Sequence, residues 1–279
     1  MSYKTILVSL NETARLPQVV AAAGLLAREL KAHVSGLYVI PAVQVYPSVG
    51  FEAAPQVFEG NRSFFTENAA KVRADFETAM QRESVSFDVQ QIDARTPLIA
   101  DDTIARARSA DLILVSATNP DEVTGVERDF VEQVIMGAGR PVLILPGTGE
   151  PKLSLDEMVI GWDGGREAAR AVFDALPLLK AAKKVRVIHI GTHKDGAKGR
   201  MAGSSLTEAL GRHGIAAEMQ TQTTEGHDTG QALLRCADDC SAGLIIMGAY
   251  GHSRLAEFIF GGATRFVLGR LNRPVLMSH

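Results

Sequence analysis

Gly243-Leu244-Ile245-Ile246-Met247-Gly248-Ala249-Tyr250-Gly251 is the stretch that decides the fold. Four consecutive apolar side chains running into two closely spaced glycines read as a strand buried on both faces that ends in a tight turn. The same run stands 132 positions earlier, at Asp111-Leu112-Ile113-Leu114-Val115-Ser116. Three further pairs follow. Thr5-Ile6-Leu7-Val8-Ser9-Leu10-Asn11 matches Met158-Val159-Ile160-Gly161-Trp162-Asp163, and Val34-Ser35-Gly36-Leu37-Tyr38-Val39 matches Val185-Arg186-Val187-Ile188-His189-Ile190. Gly139-Arg140-Pro141-Val142-Leu143 matches Asn272-Arg273-Pro274-Val275-Leu276. Four matches in one order indicate duplication of a unit of about 130–150 residues, a common size for one domain.

The boundary falls in Pro146-Gly147-Thr148-Gly149-Glu150-Pro151, which can continue neither strand nor helix. It separates residues 1–148 from residues 152–279. Helical periodicity fills the spaces between the apolar runs: residues 17–31, 61–83 and 98–108 in the first half, and 168–180, 204–212, 228–241 and 263–271 in the second. Strand-helix alternation implies right-handed βαβ units, so each half reads as a doubly wound α/β sandwich with about five parallel strands. Residues 41–60, with three prolines and two glycines, read as a long loop or lid. Residues 191–203 read as its shorter counterpart.

Composition narrows the function. The 279 residues are 46% hydrophobic and 22% charged, which excludes a disordered chain, a collagen-like repeat and a coiled-coil rod. The net charge of −3 gives no strong field for nucleic acid or membrane. The halves differ: residues 1–150 carry 13 basic and 19 acidic side chains, and residues 151–279 carry 16 and 13, so the second half is the better host for an anion. Two cysteines, Cys236 and Cys240, exclude a disulfide scaffold and fit a reducing cytoplasm. The N-terminus has no secretory pattern, and no apolar run reaches the 18 or more residues of a membrane span. The expectation is a soluble cytoplasmic protein.

Ligands of open α/β sheets bind beyond the carboxyl ends of the strands, at the switch point. Three segments of the second half converge there. Trp162 and Asp163 follow its first strand; the carboxylate suits a ribose or a metal-bound phosphate, and equally suits capping the next helix. His189-Ile190-Gly191 closes the second strand, where backbone groups can pair with a base edge. The third segment runs from Met247 through Gly248, Gly251, His252 and Arg254 to Gly261, Gly262, Ala263, Thr264 and Arg265. Its glycines admit close approach to a ligand, and amides at the following helix start suit phosphate.

The spacing Gly248-x-x-Gly251, nine residues, then Gly261 resembles the nucleotide-binding signature of the universal stress protein family, in its tandem bacterial form. The resemblance runs over essentially the whole chain as two copies. It implies an adenine nucleotide hydrolase-like α/β fold, ATP (or AMP or ADP, with or without Mg²⁺) as ligand, and domains pairing through their last strands, here residues 141–145 and 274–277. By position, it places Asp163 beside the nucleotide, Ile190 against adenine, and Gly248, Gly251 and Gly261 around ribose and phosphates. Gly262 departs from the family's Ser or Thr, and Thr264 lies two residues on. In the first half Asn11 replaces the acidic residue, Ser116 and Asn119 replace the glycines, and residues 120–129 carry four acidic side chains, so that site reads as degenerate.

Cys236 and Cys240, one helical turn apart, read more readily as small core residues than as a redox or metal pair. His213, His227 and Asp228 have no assignable catalytic partner. The sequence therefore points to a regulatory protein that binds an adenine nucleotide in its second half, with hydrolysis slow at most. An unknown protein partner and a homodimer remain compatible. The alternatives are a nucleotide-independent scaffold or chaperone-like protein, and an adenylating or hydrolytic enzyme.

Overall fold

The computed structural model describes residues 2–43, 54–119, 121–122, 124–150, 152–191, 196–223, 229–251 and 262–279. The described chain divides into two compact units, Tyr3–Ala138 and Gly139–His279.

The first unit runs β1 (Thr5–Ser9), α1 (Leu16–Leu30), β2 (His33–Ile40), α2 (Ala54–Arg82), β3 (Phe87–Asp93), α3 (Ile99–Ala107), β4 (Leu112–Ser116) and α4 (Phe130–Ala138). Its strands lie in the order β3-β2-β1-β4, all parallel, with Val8 opposite both Gly36 and Leu114. The uninterrupted apolar runs are explained by burial: Ile6, Val8, Leu112, Ile113, Leu114 and Val115 are wholly covered. A short 3-10 turn, Thr13–Arg15, leads from β1 into α1, and Lys31 ends α1 in the left-handed conformation (φ 52°).

The second unit holds β5 (Val142–Leu145), β6 (Glu157–Gly161), α5 (Arg166–Asp174), α6 (Leu176–Leu179), β7 (Lys184–Gly191), α7 (Gly196–Arg212), β8 (Ala217–Thr223), α8 (Thr229–Asp239), β9 (Leu244–Gly248), α9 (Gly262–Leu268) and β10 (Val275–Ser278). Its order is β5-β10-β9-β6-β7-β8, parallel except for β5, which runs antiparallel to β10 with Leu143 opposite Leu276. The pairing expected between residues 141–145 and 274–277 is therefore present. Each half of the sequence supplies five strands, as expected, but β5 belongs to the compact unit of the second half.

Four helices depart from the sequence expectation, α4 by standing where none was expected. Residues 168–180 form two helices, because Pro177 has no N–H for the Phe173 carbonyl and the ladder breaks at Ala175. Helix α2 starts at Ala54, taking in part of the expected loop at 41–60; Pro55 is tolerated in its first turn. Residues 44–53 of that loop lie outside the described residues. Helix α7 likewise starts at Gly196, inside the expected loop at 191–203, of which 192–195 lie outside the described residues.

The repeated Arg-Pro-Val-Leu motif has a structural role in the second unit. Nη1 of Arg273 donates to the carbonyls of Ala237 (2.7 Å) and Ala242 (2.8 Å), and Nη2 meets the Asp238 carboxylate. One side chain thus ties the end of α8 to the start of β9. Arg273→Ala leaves two carbonyls and a carboxylate to find other partners, and is expected to cost about 2 kcal/mol. Urea unfolding followed by the fluorescence of Trp162, the chain's one tryptophan and a member of this unit, checks it.

Candidate functional site

Strand β6 lies between β7 and β9, so the chain reverses its winding direction there and a cleft opens at the carboxyl ends of β6 and β9. β9, β6 and β7 are neighbouring parallel strands, so their carboxyl ends lie side by side.

After β6, the Trp162 N–H donates to the Ile188 carbonyl (2.9 Å), continuing the pairing with β7 by one residue. Asp163 is exposed, and its Oδ1 accepts the Gly165 N–H at 2.7 Å. Gly164 sits at φ +78° between them, and Gly165 flanks the start of α5. The carboxylate therefore fixes the turn that leads into α5 and remains at the surface; the N-cap of α5 is Gly165, with no side-chain cap hydrogen bond, so Asp163 does not cap the helix as expected. Ile190 is the penultimate residue of β7 and is half-buried.

At the end of β9, Gly248 is required by space. A Cβ there would lie 2.4 Å from the Ala168 nitrogen and 2.5 Å from the Glu167 carbonyl carbon, so the first turn of α5 rests directly on this residue. A Cβ on Gly251 would stand 3.0 Å from Oε2 of Glu167. Met247 is buried beneath. Between the glycines Tyr250 takes φ +58°, and its N–H donates to Oγ1 of Thr264 at 3.1 Å. Thr264 is buried and anchors the turn to α9, while Gly262 is exposed with open space around it and Ala263 is half-buried. His252, Arg254 and Gly261 lie outside the described residues.

Glu167 is a member of this cleft that sequence reasoning missed. It is buried in the first turn of α5, and Oε1 accepts both Nε and Nη2 of Arg166 at 2.8 Å. Burial alone would raise its pKa. The Arg166 hydrogen bonds, its own backbone N–H and the charges of Arg166 and His279 outweigh that and hold it below the usual range. The available signal was an acidic residue in the first turn of a helix, where the dipole favours it. Deeper in, Nδ1 of His189 donates to the Trp162 carbonyl (3.0 Å), while Nε2 of His189 and Nε1 of Trp162 are buried without partners.

The profile described as the universal stress protein family matches residues 155–279. This segment is therefore similar to the universal stress protein family. A universal stress protein of Synechocystis sp. is 24% identical over 147 residues, which is 52% of this chain and 49% of that protein, so the match spans about half the length of that relative. Among solved structures, a universal stress protein of Archaeoglobus fulgidus aligns with TM-score 0.75 at 16% identity, covering 98% of this chain and 97% of its own. A functionally unknown protein of Pseudomonas aeruginosa aligns with TM-score 0.61 at 16% identity, covering 99% and 92%. At these identities the likeness is one of fold.

The first unit holds different side chains on the backbone frame that the second unit uses. Leu10 N–H donates to the Leu37 carbonyl (2.9 Å), the counterpart of Trp162 and Ile188, so Asn11 stands where Asp163 stands and Val39 where Ile190 stands. Asn11 is buried and pairs twice with Val39: Nδ2 donates to its carbonyl (2.6 Å) and Oδ1 accepts its N–H (3.0 Å). Both backbone groups at the end of β2 are thereby occupied from within.

Elsewhere, Cys236 is buried and Cys240 half-buried; burial raises both thiols above their ordinary range, which fits the core reading. Among the described residues no group of three or more His, Cys, Asp or Glu side chains could hold a metal ion, and no helix is long and apolar enough to cross a membrane. His213 stacks edge-on against Phe173, and His227 and Asp228 lie outside the described residues.

Glu12, one residue beyond Asn11, is buried, and burial pushes its pKa from 4.5 to about 7. Thr124 and Arg15 pull it down and Glu122 pushes it up further. A carboxyl whose pKa is higher folded than unfolded favours folding while it is neutral. This advantage is present near pH 4.5 and lost as pH rises to about 7. The loss is on the order of 3 kcal/mol. Urea unfolding followed by circular dichroism at pH 5 and pH 8 is expected to show this slope, and Glu12→Gln to remove it.

Proposed function

We propose that the second unit binds an adenine nucleotide, ATP foremost and AMP or ADP otherwise, and that occupancy switches the protein between states in a stress response. The observation that carries this reading is the glycine turn from Gly248 to Gly251, set at the switch point of a parallel sheet with the exposed carboxylate of Asp163 at the neighbouring strand end. Gly248 lets the first turn of α5 rest on the end of β9, and Gly251 leaves the turn beyond it without a side chain. Arg166 neutralises Glu167, so the carboxylate buried beneath Gly251 does not confront the phosphates unpaired. Asp163 is the acceptor for ribose hydroxyls, and the strand end at Ile190 offers backbone groups to a base. Magnesium enters on the phosphates, since the described side chains form no cage of their own. A ligand regulates only through differential affinity for two states, and the turn at residues 248–251, tied to α9 by one hydrogen bond to Thr264, is the element placed to differ.

The test is the nucleotide content of the purified chain after denaturation, read by chromatography and mass. About one adenine nucleotide per chain is expected. Asp163→Ala and Gly251→Val are each expected to lower occupancy at least tenfold, with Gly251→Val acting through the Cβ that would crowd Glu167. An empty protein with no thermal shift on adding ATP and Mg²⁺ overturns the reading and favours the nucleotide-independent scaffold.

A further inference from the structure

The first unit has its own switch point, where the carboxyl ends of β1 and β4 lie side by side. Glu12 and Arg15 sit on the connection from β1 to α1, and Gln18 follows in the first turn of α1. Thr124 and Glu127 sit on the connection from β4 to α4. Eight buried side-chain atoms among the described residues have no hydrogen-bond partner, and six belong to these five residues: Oε2 of Glu12, Nε and Nη2 of Arg15, Oε1 of Gln18, Oγ1 of Thr124 and Oε2 of Glu127. Glu12 is only 5% exposed. Buried polar atoms are nearly always paired, so such a concentration marks a place where partners are missing.

The kind of partner follows from the atoms. Nε and Nη2 form the side-on fork of the guanidinium, which fits a carboxylate or phosphate in bidentate fashion. Oε2 of Glu12, Oε1 of Gln18 and Oε2 of Glu127 call for donors. A phosphate dianion meets Glu12, Glu122, Glu127 and Asp129 and is repelled; a simple cation meets Arg15; a neutral molecule leaves both signs of charge unpaired. A small molecule carrying one carboxylate and one ammonium answers both sides.

We infer that the first unit holds a second ligand site, distinct from the nucleotide cleft, that takes a free α-amino acid, its carboxylate on the Arg15 fork and its ammonium among the oxygens of Glu12, Gln18 and Glu127. The Thr124 hydroxyl stands beside Glu12 and draws its carboxyl down. Glu127 holds its place through Oε1, which accepts the Ile99 N–H at the start of α3 and leaves Oε2 for the ligand. Because Asn11 occupies the backbone groups of Val39, no base edge competes there.

Isothermal titration of the full-length chain tests this, with L-alanine, L-serine, L-lysine and L-glutamate as separate probes, and acetate, methylammonium and inorganic phosphate as controls. At least one amino acid is expected to bind one to one, at least tenfold more tightly than acetate, methylammonium or phosphate. Arg15→Gln and Glu12→Gln are each expected to weaken it tenfold or more while circular dichroism stays native. The proposal is overturned if no amino acid binds at millimolar concentration, if phosphate or either half-molecule binds as well, or if folded Arg15→Gln retains full affinity. The probe series on the unaltered chain decides even where a variant fails to fold.

Discussion

The second unit depends on the absence of one methyl-sized group at Gly248. The first turn of α5 lies so close to the end of β9 that any side chain there would meet the backbone at Glu167 and Ala168. Backbone cannot swing aside as a flexible side chain can, so the helix would have to lift off the sheet. Several features follow from this contact. It sets α5 beside β9 and β10 and brings the Glu167 carboxylate close to Gly251. Arg166 then has to accompany Glu167, because a buried carboxylate without a partner is strongly unfavourable. The hydrogen bond from Tyr250 to Thr264 closes the arrangement by fixing α9 against the same turn.

Asn11 and Asp163 show how one atom changes the chemistry of a shared frame. A carboxamide carries both a donor and an acceptor group, and Asn11 turns one of each to Val39. A carboxylate has no hydrogen to give a carbonyl, so aspartate cannot reproduce that pair. Asp163 turns instead to the Gly165 N–H and stays at the surface. The end of β2 is thus satisfied by its own unit's side chain, whereas Asp163 stays at the surface of the second. Replacing the acidic residue by asparagine does more than remove a charge, since it fills the strand end with a side chain of matching hydrogen-bonding pattern.

The strand framework was legible because parallel strands buried on two faces must be continuously apolar, and no other element of this length imposes that pattern. Leu112 to Val115 and Leu244 to Met247 could hardly be anything else. The pairing of residues 141–145 with 274–277 followed from the resemblance, but its antiparallel sense and the grouping of β5 with the second unit rest on tertiary contacts that no local pattern records. Helix limits were read less well. Pro177 broke a helix whose apolar spacing continues across it, whereas Pro55 did not prevent one, because proline is harmful only where its missing N–H would have been used. At the site, glycine spacing marked Gly248 and Gly251, but nothing in the sequence separates a buried Glu167 from the exposed acids around it. Its burial follows from the closeness of Gly248, a long-range fact.

Both units place an Arg and a Glu at the start of the helix that follows their first strand, and the two pairs have opposite fates. Arg166 and Glu167 are adjacent, and the guanidinium fork closes on Oε1 with two bonds of 2.8 Å. The charges cancel locally, and Glu167 is ionised below the usual carboxylate range. Glu12 and Arg15 are three residues apart across a 3-10 turn; the fork of Arg15 finds no acceptor and Oε2 of Glu12 finds no donor. Burial then drives the Glu12 carboxyl toward its neutral form near pH 7. The same two residue types therefore give a closed, electrostatically quiet support under the glycine turn of one unit and an open set of unmet hydrogen-bonding demands in the other. A duplicated fold can diverge in this way without disturbing its sheet, because the strand cores and the polar connections beyond their carboxyl ends answer to different constraints.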